Sequence, residues 1–307
     1  MGLAINMFRR LVDLKMVVFD LDGVLVDINS SWQKIHEAFG VTNEENFQKH
    51  LRGEIDFKEF MRSDIRLWSG VHISHIKNIL DKVPLMKGAT ETLSSLKKAG
   101  YKTAIISSGI SILANRVKDE LGIDDFFSNK LLTDKDGRLT GEGEEVVGLL
   151  NKGNVLNDLA LKEGFIAKQC VVVGDSRYDI PLFKESGLSI AFNAKDDMIK
   201  EAADLVIDEK DLRLILPWLV NIKRASMAEL IFNYNDEKEA NTIAQAVSPD
   251  NIKVPSGLII KTVKEECCVI TRIFCIKGVE TLLATIEDLL SCTQVAEKVV
   301  KITKNLQ

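Results

Sequence analysis

The 307-residue chain has no uninterrupted apolar run approaching the ~20 residues needed to span a bilayer. Its start, Met1 to Arg10, holds too short an apolar stretch for a secretory signal. These absences make the cytoplasm the expected compartment. Basic excess is also missing: 40 Lys+Arg face 45 Asp+Glu, giving a formal net charge of −5 and a pI near 5.6. A protein that holds nucleic acid mainly by charge is expected to show the opposite bias, so binding through bulk electrostatics is disfavoured. Cysteines are few and odd in number (Cys170, Cys267, Cys268, Cys275, Cys292), and none forms a C-x-x-C pair. A disulfide framework or a zinc site wants even or clustered spacing, so buried reduced thiols are expected. There is no internal repeat, no low-complexity tract and no Pro/Gly-rich linker.

What is present suits a folded protein. Residues are 46% hydrophobic and 28% charged, enough to bury a sizeable core. At roughly 100–200 residues per domain, the length suggests about two domains.

Three short, strongly apolar segments, Met16–Phe19, Ala104–Ile106 and Cys170–Val173, each run into small or acidic polar residues. Buried strands of a parallel sheet have this composition, with functional groups just past their C-terminal ends. Helical patterns lie between them: Ala89–Ala99 stops at Gly100 and Ile110–Leu121 at Gly122. Strands alternating with helices argue for a doubly wound, Rossmann-like α/β domain. From about Asn29 to Val83 the periodicity is helical (Trp32, Ile35, Phe39; Phe57, Phe60, Met61), which predicts a helical insertion over the strand ends, able to act as a lid.

The polar residues at the strand ends carry the chemistry. The first strand leads into Asp20-Leu21-Asp22-Gly23-Val24, two carboxylates separated by one residue, with a glycine allowing a sharp exit. Such a pair either holds a divalent cation or divides the work of nucleophile and general acid. The second ends in Ser107-Ser108-Gly109, hydroxyls and backbone N–H groups expected at a helix start, where an anion is stabilised. Lys152-Gly153 opens another helix, an unusual place for a cation because the dipole there is already positive. The third ends in Gly174-Asp175-Ser176-Arg177-Tyr178-Asp179. Four aspartates around one crevice repel each other without a cation, and Mg²⁺, a hard ion preferring oxygen ligands, is the economical solution. His72-x-x-His75 lacks an acidic or Cys partner at ligand spacing and is expected to be a solvated or capping pair.

The order D-L-D-G-V, I-S-S-G, N-K-G, G-D-S-R-Y-D resembles the haloacid-dehalogenase superfamily of phosphotransferases over about residues 14–218, with the helical insertion matching a cap. The resemblance implies that Asp20 is a nucleophile forming an aspartyl-phosphate. It makes Asp22 the acid and base, with its backbone carbonyl helping to hold Mg²⁺. Ser107, Ser108, Gly109 and Lys152 would bind the phosphoryl group, and Asp175, supported by Asp179, would bind the metal with Asp20. Within the superfamily the chain is most similar to phosphoserine phosphatases, through Lys135-Asp136-Gly137-Arg138-Leu139-Thr140-Gly141 and through Gly53–Phe57. It departs from them where a substrate is held. The arginine that clamps the serine carboxylate falls at Asp64, the glutamate that meets the amino group at Asn29, and an asparagine at Tyr178. An Asp facing a carboxylate repels it, although Arg62 or Arg66, a helical turn or less away, could substitute.

After Trp218 the pattern changes to a strand (Glu229–Tyr234), a helix (Asp236–Val247), a loop at Pro249 and Pro255, two strands (Leu258–Val263, Cys268–Ile276) and a long helix from about Val279 to Lys304. This β-α-β-β-α unit predicts a small α+β domain over 226–307, after a catalytic domain over 1–225 whose core is about 14–28 and 84–218 and whose cap is about 29–83. With nine Lys+Arg and eleven Asp+Glu it has no basic excess and no catalytic cluster. Through Glu229–Tyr234, Asp236–Ala240, Ala246–Asn251, Gly257-Leu258 and Leu283–Asp288 it resembles the small dimerising subunit of the KEOPS complex, which acts in tRNA modification. That implies a homodimer, and docking to the KEOPS catalytic subunit or tRNA as alternatives. Two functions follow: a Mg²⁺-dependent phosphatase of a small phosphorylated metabolite, or a tRNA-modification assembly subunit with an auxiliary phosphatase-like part.

Overall fold

The computed structural model describes residues 3–7, 14–220, 226–248 and 257–305. The chain divides into two compact units, Leu14–Leu216 and a second made of Met1–Asp13 with Pro217–Gln307.

The first unit is built on a seven-stranded sheet. Strands β2 (Met16–Phe19), β3 (Lys102–Ile110), β4 (Asp125–Thr133), β6 (Cys170–Gly174), β7 (Leu188–Phe192) and β8 (Leu205–Ile207) run parallel, and β5 (Leu139–Glu144) closes one edge as an antiparallel hairpin with β4. The order is β5-β4-β3-β2-β6-β7-β8. The chain therefore builds outward from β2 in one direction and then, from β6, in the other. Strand order reverses beside β2, where open α/β sheets place their ligands. Helices α5 (Ala89–Lys98), α6 (Ser111–Leu121), α7 (Lys152–Lys162), α8 (Ile180–Glu185) and α9 (Asp197–Ala202) cover the sheet. Every residue of β2, β6 and β7 is buried, because helices on both faces remove the polar-out alternation of a half-solvated sheet. The doubly wound fold expected from the sequence is present.

The insertion after β2 forms α1 (Ser31–Phe39), α2 (Glu44–Leu51), α3 (Phe57–Arg66) and α4 (Ile73–Leu80). Each start has a local cause where a side chain caps it: Ser30 accepts from Gln33 N, Asp56 from Glu59 N, and His72 from Ser74 N. His72 is thus a capping residue. The cap is tied to the β4–β5 hairpin by backbone bonds from Gly70 N to Leu139 O and from Ile73 N to Gly137 O, and by Arg62 Nε donating to Glu142 at 2.6 Å.

The second unit has a four-stranded antiparallel sheet of order β1-β9-β11-β10, with β1 (Leu3–Met7), β9 (Ser226–Asn233), β10 (Leu258–Glu265) and β11 (Cys268–Cys275). Helices α11 (Glu237–Val247) and α12 (Val279–Asn305) pack on Ala228, Leu230, Phe232, Val269 and Ile273. The expected β-α-β-β-α order is found, with a strand added. The sequence reading assigned residues 1–13 to the first unit, whereas Leu3 pairs with Phe232 and Met7 with Ala228. The reason is an edge on β9 that only a strand from far away in the chain completes. The expected boundary at 221–225 and the loop at Pro249 and Pro255 lie outside the described residues. Among the described residues no helix is long and apolar enough to cross a membrane.

One buried side chain joins the strand ends of the first unit. Asn129, with no exposed surface, donates from Nδ2 to Ser108 O and Val147 O, each at 2.9 Å. It accepts at Oδ1 from Val146 N (2.8 Å) and Val147 N (2.9 Å). Asn129→Ala strands these buried backbone groups, and loss of roughly 2–4 kcal/mol of stability is expected in denaturant unfolding; a change under 0.5 kcal/mol would show that the loops hold themselves.

Candidate active site

The site lies just beyond β2, β3 and β6. Parallel registry sets Phe19 beside Ile105 and Val173, so the residues that follow in all three strands converge. Asp20 N donates to Val173 O at 2.9 Å, and its carboxylate accepts from Leu21 N at 2.7 Å. The turn needs Gly23, whose φ of 84° lies in the left-handed region and where a Cβ would fall 1.8 Å from Asp175 Oδ2.

Lys152, the first residue of α7 and only 2% exposed, is the hub. Its Nζ lies 2.7 Å from Asp179 Oδ1 and 3.2 Å from Asp20 Oδ2. Burial by itself lowers a lysine, but Asp179 and Asp20 more than reverse this and hold Lys152 above the usual lysine range. Asp179 Oδ2 also accepts from Asp175 N (3.0 Å) and Ser176 N (3.2 Å), which fixes the loop. Burial pushes Asp179 and Asp175 above the usual carboxylate range; Asp20 adds to both shifts and Asp179 to that of Asp175. Asp20, Asp175 and Asp179 each offer an oxygen within 4.8 Å of the others'. Three buried, mutually repelling carboxylates with oxygen donors alone fit a hard divalent cation such as Mg²⁺.

The carboxylate of Asp22 stands apart from that group. Ser31 N and Ser31 Oγ donate to its Oδ2 at 2.7 and 2.8 Å, while Oδ1 is buried without a partner. Burial, opposed by the Ser31 bonds and reinforced by Asp20, pushes the Asp22 carboxyl up to about 6.

Ser107 and Ser108 are also at the site, with a different backbone from that expected. The segment Ser107-Ser108-Gly109 was expected at a helix start. Instead β3 continues to Ile110, with a register shift between Ile106 and Ile110, and α6 begins at Ser111. Ser128 Oγ holds Gly109 O at 2.7 Å, and Ser107 Oγ accepts from Gly109 N at 3.1 Å. Ser108 Oγ is buried and unpartnered.

The sequence reading missed Lys195. Its Nζ lies 2.6 Å from Asp175 Oδ2 and donates to Asn29 O at 3.1 Å. The signal was the run Leu188–Phe192, a strand interrupted by a serine, with Lys195 three residues past its end.

The strand ends and cap enclose a cavity of about 680 Å³ whose walls include Asp20, Asp22, Ser107, Lys152, Tyr178 and, from the cap, His36 and Asp64. Asp64 is 3% exposed and accepts at Oδ1 from Asn43 Nδ2 and pairs with His36 Nε2, each at 2.8 Å. Arg62 and Arg66 do not stand in for a clamp. They pair with Glu59 and Glu142 and do not line the cavity. Two acids on the cap and hairpin attract both guanidinium groups, which proximity in sequence to Asp64 does not reveal.

Asp22 yields a pH prediction. Its carboxyl titrates near 6 in the folded chain and near 3.8 in the unfolded chain. Protonation therefore favours the fold, and stability present below about pH 4 is lost as pH rises through 6. In Mg²⁺-free buffer, Asp22→Asn is expected to be more stable than the native chain by roughly 2–3 kcal/mol at pH 7.5. The two should converge at pH 4 in urea unfolding, and a gap independent of pH would refute the buried charge.

Comparison with known proteins identifies the family. The family model of haloacid dehalogenase-like hydrolases matches residues 14–187. The phosphoserine phosphatase of Methanocaldococcus jannaschii is 36% identical over 208 residues, 67% of this chain and 97% of that protein. That of Archaeoglobus fulgidus is 37% identical over 201 residues, 64% of this chain and 58% of the relative. A solved phospho-aspartyl intermediate analogue of a phosphoserine phosphatase superposes with a TM-score of 0.59 at 36% identity, covering 67% of this chain and 98% of that one. The chain is an enzyme, a phosphatase, and belongs to the haloacid dehalogenase-like hydrolases.

Proposed function

We propose that the chain is a Mg²⁺-dependent phosphomonoesterase of a small metabolite, working in the cytoplasm through an aspartyl-phosphate. The observation that carries this reading is the buried set Asp20, Asp175, Asp179 and Lys152 at the point where strand order reverses. Bound there by those carboxylates and the carbonyl of Asp22, Mg²⁺ supplies charge neutralisation to the phosphoryl oxygens. The remaining work belongs to the chain. Lys152 and the hydroxyls of Ser107 and Ser108 bind phosphoryl oxygens, with Gly109 beside them on the cavity wall. Asp20 attacks phosphorus while the leaving oxygen takes a proton from Asp22 Oδ1. Ser31 engages only the other oxygen of Asp22, so Oδ1 is the one that can carry that proton. A carboxyl near 6 is protonated often enough to act as an acid at neutral pH and ionised often enough to accept a proton from water in the second step. Water then attacks the acyl phosphate and releases Asp20.

For the second unit we propose homodimerisation. Support comes from its likeness in sequence to a dimerising subunit and from Val295 and Ile302, both exposed on α12. Its charge balance favours a second copy over tRNA.

Two measurements test these readings. With Mg²⁺ the protein should hydrolyse p-nitrophenyl phosphate, and Asp20→Asn should lower the rate by at least 10³-fold, about 4 kcal/mol; undiminished turnover in that variant sinks the mechanism. Light scattering on the full chain should give about twice 34.2 kDa, and a monomer at tens of micromolar would remove the dimer.

A further inference from the structure

The cavity has two chemically distinct ends. At the strand ends, two lysines, Lys152 and Lys195, stand among the aspartates. At the cap end no lysine or arginine lines the wall; the ionisable groups there are Asp64, Glu37, Glu44 and two histidines. Asp64 is the buried one. Both of its hydrogen bonds fall on Oδ1, and among the described residues none reaches Oδ2. His36, bonded to Asp64 through Nε2, has a buried Nδ1 without a partner. Asp64 thus keeps one carboxylate oxygen without a hydrogen bond, on a residue of the cavity wall, where a ligand's donor can answer it. Trp32 and Phe60 line the same end.

A carboxylate placed here would meet Asp64 with no lysine or arginine in the wall to offset the repulsion. An ammonium group would donate to the free Asp64 oxygen in a charge-assisted hydrogen bond, beside the aromatic side chains of the same wall. We propose that the leaving group of the substrate is a small amino alcohol bearing an ammonium group and no carboxylate, held at Asp64. This deepens, and rests on, the reading of the chain as a phosphomonoesterase. The substrate class departs from that named for the relatives, in that the acid function of serine is absent and its amine is retained. Discrimination follows from the difference, since phosphoserine offers the cap both an attractive amine and a repelled carboxylate.

Steady-state kinetics with Mg²⁺ on phosphoethanolamine, 3-aminopropyl phosphate, O-phosphoserine, glycerol 3-phosphate and p-nitrophenyl phosphate decides the matter. The better amino-alcohol ester should exceed phosphoserine and glycerol 3-phosphate in kcat/KM by at least about tenfold, some 1.4 kcal/mol. Asp64→Asn should collapse that ratio, chiefly by raising KM for the amine. Phosphoserine or glycerol 3-phosphate turned over as well as the amines overturns the inference, as does hydrolysis of the aryl ester alone, and both results leave the phosphatase reading standing. Hydrolysis of none of the five overturns the phosphatase reading and this one with it. Should Asp64→Asn fail to fold, the native panel is sufficient, because the ranking of the five esters is itself the test.

Discussion

The first unit depends on a lysine buried between two aspartates. Lys152 touches Asp179 and Asp20 with 2% of its side chain exposed, and each of the three would be expensive to bury alone. Together they fix α7 against the ends of β2 and β6, because Asp20 ends one strand and Asp179 closes the loop after the other. The compensation is incomplete. Burial pushes the carboxyls of Asp22, Asp175 and Asp179 upward, and repulsion from neighbouring aspartates, which outnumber Lys152 and Lys195, adds to it. The site stores an electrostatic deficit that a divalent cation and a phosphate can relieve together.

The cap repeats the same logic with a weaker partner. Asp64 is as buried as the catalytic acids but has a histidine and an asparagine in place of lysine. Its sign is opposite to what a carboxylate-binding pocket wants.

Much of the floor was legible in sequence because parallel strands buried on both faces are unbroken apolar runs, and Met16–Phe19 runs directly into Asp20 while Cys170–Val173 reaches Asp175 after one glycine. The expectation failed where tertiary contacts override local signals. Two serines and a glycine at 107–109 resemble a helix start, yet Ser128 and Asn129 hold that backbone and β3 runs on to Ile110. Leu188–Phe192 has a serine at its second position, so neither the strand nor Lys195 beyond it stood out. Arg62 and Arg66 were candidates for Asp64's place by spacing, and only their three-dimensional pairing with Glu59 and Glu142 removes them.

The strand pairing of β1 with β9 has a consequence for how the molecule is made. By connectivity the catalytic unit is inserted into the other one, since chain from both of its sides forms a single sheet. During synthesis β1 emerges first and waits for its partner until the catalytic unit has been translated and has had time to fold. Until then it is an unpaired strand, open to the wrong neighbour. Cutting the gene between the units would give a catalytic piece carrying an orphan strand and an association piece with one edge bare. The two parts are separable in function but not by a single cut.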